Sequence, residues 1–160
     1  MVKLKRLSTP ELDRLEGYLD AAQHIFIRGQ LDVTLDAALF EIADDHITDE
    51  DVIRAAYPDG FNPIEYRAEC SFDEMVSGIH DILRVTREFW KPEYSVPEII
   101  ENNLRKGYWQ HVKSCFDYTN ARIIQLGHNV PYVNIWGGFM YILYAPDMGR
   151  CLLLMGNTSD

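Results

Sequence analysis

The sequence predicts an α+β fold: about five N-terminal helices packed on a small C-terminal antiparallel sheet of about three strands. Three observations predict it. Ser/Thr-x-x-Glu boxes precede apolar runs at helical spacing. Aromatic and aliphatic runs of strand character crowd the end of the chain. The two kinds of segment are segregated, which is the pattern of an α+β domain. The chain has 160 residues, a length that suits one domain spanning 1–160. Charged residues are 25% and hydrophobic residues 47%, enough apolar material for a real core, which argues against intrinsic disorder.

The first helix is predicted from about Thr9 to Arg28, stopping at Gly29. Ser8 and Glu11 form its capping box and Pro10 falls in the first turn, where a missing N–H costs little. Leu12, Leu15, Leu19, Ala22 and Phe26 share one face. A second helix is predicted over about Asp32 to Asp45, with Leu35, Ala38, Leu39 and Ile42 inward. Thr48 caps a short third helix that ends before the turn Tyr57-Pro58-Asp59-Gly60, with Val52, Ile53 and Ala56 packed. Phe61 to Cys70 reads as irregular or as a short edge strand.

The fourth helix, about Phe72 to Trp90, opens on the Ser71–Glu74 box and carries Met75, Val76, Ile79, Ile82, Leu83 and Phe89 as an apolar stripe. The fifth opens on the Ser95–Glu98 box and is predicted from Val96 to Leu126, with Gly127 as its cap and Gly107 as its weak point. Tyr132–Trp136, Phe139–Tyr144 and Cys151–Met155 then read as an antiparallel meander, separated by Gly137-Gly138 and Pro146-Asp147-Met148-Gly149. Both faces of Phe139–Tyr144 are apolar, so it is predicted as the middle strand. It needs two covers, supplied by helices, by a partner or by a second copy in a homodimer.

Charge bounds the function. The net charge is −10 at pH 7, which argues against nucleic acid and against anionic membrane surfaces, and suits a basic partner. The first 60 residues carry −7 of it. Its densest part is Glu41, Asp44, Asp45, Asp49, Glu50 and Asp51, predicted to be exposed and to form a partner-binding surface. Cys70, Cys115 and Cys151 are an odd count without a CxxC pair, which fits a reducing, cytoplasmic setting. The start MVKLKRLSTPEL has no apolar run and does not read as a secretory signal. Phe139 to Leu154, the most apolar stretch, is broken by Pro146, Asp147, Gly149 and Arg150, too soon for a membrane span.

The candidate chemistries each meet a plainer explanation. His46 among Asp44, Asp45, Asp49 and Asp51 resembles a metal cluster, but neither HExxH nor EF-hand spacing is present, and an acidic helix junction explains the same residues. Zinc on the three cysteines lacks a local ligand pair. Cys115 and His111 stand at i, i+4, yet Cys115 falls on an apolar face where a thiol acts as a small hydrophobe. Gly137-Gly138 is neither a P-loop nor GxGxxG, and a hairpin turn suits it better. No residue reads as catalytic or metal-ligating, and no cofactor is expected. The sequence therefore points to a small acidic cytosolic protein that binds and neutralises a basic protein, such as an immunity protein or antitoxin acting on a nuclease-type bacterial toxin. The alternative is a small enzyme or ligand-binding domain with a pocket between the helices and the C-terminal sheet, lined by His111, His128, Tyr132 and Trp136.

Overall fold

The computed structural model describes residues 3–28, 33–59, 64–83, 98–127 and 138–158. They form six strands and four α-helices in the order β1 (Leu4–Arg6), α1 (Pro10–Arg28), β2 (Val33–Ile42), α2 (Asp49–Ala56), β3 (Tyr66–Cys70), α3 (Phe72–Ile82), α4 (Glu98–Cys115), β4 (Arg122–Gly127), β5 (Gly138–Ala145) and β6 (Arg150–Thr158). The strands make one antiparallel sheet ordered β1-β2-β6-β5-β4-β3. This corrects the expectation of about five helices on a sheet of about three strands. Strands are interleaved with helices along the chain, and the sheet is much of the fold.

Two segments predicted as helix are strands. Asp32–Asp45 contains β2. Leu35, Ala37 and Leu39 enter one core, and Ala38 and Phe40 enter the other. With both faces buried, the apolar run no longer alternates, and its 3- and 4-residue spacings match a helix by coincidence. Pairing with β6 from Val33–Thr158 to Glu41–Arg150 decides the outcome, because it buries both faces where a helix buries one stripe. The fifth predicted helix ends at Cys115, and its last part is β4. A turn separates them: Asp117 Oδ1 accepts from the Thr119 N–H at 3.1 Å and the Thr119 hydroxyl at 2.7 Å. Such local bonds offer the backbone an alternative to the helix.

The remaining helices follow their signals closely. Thr9, one residue after the predicted cap Ser8, accepts the Leu12 N–H at 3.1 Å to start α1. Thr48 with Asp51, and Ser71 with Glu74, form reciprocal capping boxes on α2 and α3. Gly107 does not break α4. It makes room for Tyr18, whose hydroxyl donates to the Leu104 carbonyl at 2.5 Å; a Cβ at 107 would lie 2.6 Å from that oxygen. The Ser95 box, Gly29, Gly60, the second half of the fourth predicted helix and Tyr132–Trp136 lie outside the described residues.

Helices α1, α3 and α4 cover one face of the sheet, and α2 packs on the other. Strand β5 is central, as its two apolar faces require. Phe139, Tyr141 and Leu143 meet the three-helix layer, and Met140, Ile142 and Tyr144 meet the α2 side. Its neighbours among the described residues are β4 and β6, so the strand opposite β6 is β4. The β5–β6 hairpin closes through a 3-10 turn at Pro146–Met148, and Gly149 sits at φ +60°, a left-handed conformation that favours glycine. No helix among the described residues is long and apolar enough to cross a membrane.

Candidate functional site

The six predicted partner-binding carboxylates lie along the β2–α2 junction, and the fold divides their roles. Asp51 completes the α2 capping box: its Oδ2 accepts the Thr48 N–H at 2.9 Å, and Lys3 Nζ stands 3.5 Å from it. These hydrogen bonds hold its carboxyl below the usual range. Asp44 Oδ1 accepts the His46 N–H at 2.9 Å, an Asx-type turn. Glu41 is exposed on β2 and faces Lys5 at 4.0 Å. Asp45 and Glu50 are exposed and have no ion pair among the described residues.

Asp49 departs from the expectation of an exposed run: it is 8% exposed. Tyr144 on β5 donates its hydroxyl to Oδ1 at 2.6 Å, and Arg67 on β3 donates its Nε–H to Oδ2. One carboxylate thus ties α2 to two strands distant in sequence. Burial, and then the hydrogen bond to Asp49, push the Tyr144 phenol far above its ordinary value. The bond to Asp49 also raises Arg67 above its ordinary value. The guanidinium stays charged and the phenol stays protonated.

Around this group the surface opens into a cavity of about 480 Å³, lined among the described residues by Ile42, Asp45, Ile47, Thr48, Asp49, Arg67, Arg122, Tyr144, Pro146 and Gly149. Arg122 pairs with Tyr144 across β4 and β5 and places its Nε 3.2 Å from Glu69 Oε2. Arg67, Arg122 and Tyr144 are the site residues that sequence reasoning missed. Arg67 reads locally as one charge in an irregular stretch or short edge strand, and Arg122 as one charge in the fifth predicted helix. The strand order that joins them is not visible from residues more than 50 positions apart.

The other candidates are dispersed. The His111 ring lies 4.7 Å from that of Tyr18, while the Cys115 thiol donates to the Val112 carbonyl at 3.3 Å. Burial pushes the Cys115 thiol up to about 11, so it is no nucleophile at neutral pH. Cys70 and Cys115 belong to the three-helix side and Cys151 to the α2 side, so the sheet stands between them. No group of three or more His, Cys, Asp or Glu that could hold a metal occurs among the described residues. The cavity beside Asp49 opens on the α2 side, whereas His111 of the predicted pocket packs against Tyr18 in the three-helix layer. His128, Tyr132 and Trp136 lie outside the described residues.

The architecture is that of a six-stranded antiparallel sheet with helices on both faces. Two crystal structures of citrus MAF1 share it. The chain is 14% identical to one, with a TM-score of 0.58 over 91% of this chain and 97% of that one. To the other it is 10% identical, with a TM-score of 0.56 over 93% and 99%. At these identities the likeness is one of fold. No protein-family model and no curated protein sequence matches the chain.

Proposed function

We propose that this chain is a binding protein for a basic protein partner, in the manner of an immunity protein or antitoxin that neutralises a nuclease-type toxin. One observation carries the reading. Asp45 and Glu50 stand exposed and without an ion pair among the described residues at the β2–α2 junction, beside the exposed Glu41. The Glu41–Lys5 pair is exposed on both sides and offsets little of that field. Such carboxylates at a strand–helix corner, in a chain of net charge −10, steer a cationic surface toward the corner. A nuclease supplies such a surface, because its cleft attracts phosphates.

The test has two stages. Affinity capture from the native organism at low and high salt supplies the partner, which is expected to be basic and to elute with salt. The deciding measurement is its association rate with the double variant Asp45→Asn/Glu50→Gln. The variant should melt like the parent, associate several-fold more slowly at low salt and show a flatter salt dependence. An unchanged rate at low salt would remove the electrostatic role of the corner.

A further inference from the structure

We infer that the cavity beside α2 is a binding site for a small organic carboxylate with an apolar body, gripped by Arg67 and Arg122. Its volume of about 480 Å³ lies in the range of small-molecule pockets. The two guanidiniums are the argument for the charge of the ligand. Each is anchored through its Nε, Arg67 by the buried Asp49 and Arg122 by Glu69. Among the described residues the terminal nitrogens of both have no hydrogen-bond partner. The two terminal N–H groups of a guanidinium hold a carboxylate bidentately, and anchoring at Nε lowers the entropy lost in doing so.

The acids at the site do not cancel this: Glu69 is exposed and engages only the Nε of Arg122. Both oxygens of Asp49 already accept hydrogen bonds, from Tyr144 and Arg67, so its charge faces inward. Asp45 lines the cavity and is itself exposed, so water weakens its repulsion of an anion without removing it. A cation would meet two guanidiniums, and a bare inorganic anion would leave the apolar walls unused. Ile42, Ile47 and Pro146 provide those walls, and they set the preference for an anion that carries a hydrocarbon or aromatic body.

Titration calorimetry of the full chain tests this with 3-phenylpropionate as the probe. Its neutral amide, 3-phenylpropanamide, and inorganic phosphate are the controls. Saturable binding of the acid is expected, with the amide and phosphate each weaker by about tenfold or more, the worth of one charged hydrogen bond or of a small buried apolar body. Arg122→Gln should weaken the acid by about tenfold while leaving the Asp49–Arg67–Tyr144 group intact. Arg67→Gln also leaves Asp49 without a cation and lowers the melting temperature, so Arg122 is the deciding position. Asp45→Asn should tighten the acid, the opposite of its expected effect on a basic protein partner. That opposition separates this site from the corner proposed above. Lack of saturation at millimolar probe, equal binding of the amide or of phosphate, or an unchanged affinity in Arg122→Gln would each overturn the assignment.

Discussion

Asp49 changes meaning between sequence and structure more than any other residue. In the sequence it is one of six acids in a run; in the fold it is the buried acceptor for Tyr144 and Arg67. A buried carboxylate costs several kcal/mol unless its oxygens are satisfied. Tyr144→Phe removes the donor to Oδ1 and keeps the packing of the ring. It is expected to lower stability by about 1–3 kcal/mol in a urea melt, the range for an orphaned buried polar group. Adding Asp49→Asn, which removes the charge, should recover part of that loss. A Tyr144→Phe variant that melts with the parent would show that this hydrogen bond does not hold the junction together. Gly107 belongs to the same scale. It reads as a possible break, yet its lack of a Cβ serves the approach of Tyr18 to α4.

At the scale of elements, the starts of helices announced by a cap and an apolar stripe were legible, as were β5 and β6 as strands, whereas β2 and β4 were read as helix. Helix α3 shows the first case. Ser71 accepts the Glu74 N–H at 3.2 Å, and the Ser71 N–H donates to the Glu74 carboxylate at 2.7 Å. Below that box Met75, Ile79, Ile82 and Leu83 are buried against the sheet and its neighbours. Trp109 of α4 donates its indole N–H to His80 Nε2 at 2.9 Å and ties the two helices. Leu83, at the C-terminal cap, is 1% exposed, and Leu83→Ala should cost about 2–5 kcal/mol in denaturant melts. A cost under about 1 kcal/mol would mean that the site collapses around the change and is not tightly packed. Strand β2 shows the second case. Its residues at every third and fourth position satisfy a helical template, and only its long pairing with β6 reveals the strand.

For the whole molecule, β5 and β6 are the axis on which both layers rest. Strand β5 lies between β4 and β6, and β6 between β5 and β2, so neither has a free edge. This removes the aggregation risk that an uncharged apolar strand carries at an edge. Among the described residues one edge is β3, where Arg67 and Glu69 place charges, and the opposite edge is the three-residue β1. Tyr141 is 1% exposed beneath α3 and its neighbours. Tyr141→Asp would bury an unpaired charge at the centre of the larger core, and is expected to abolish soluble folded protein on expression. A soluble Tyr141→Asp variant with the parent's melting temperature would show that the strand is not enclosed.

Helix caps, apolar stripes at helical spacing, the need to cover Phe139–Tyr144 on two sides and the uneven distribution of acid were all legible in the sequence. Each depends on residues a few positions apart, or on a simple count. The identity of β2 and β4 was not legible, because a continuous apolar run fits either period and only a partner strand chooses between them. The same physics hid the cavity. Asp49, Arg67, Arg122 and Tyr144 belong to four elements, and no local spacing relates them. The six-stranded order alone brings them together, so the acidic corner could be read from the chain while the arginine-lined pocket beside it existed only in the fold.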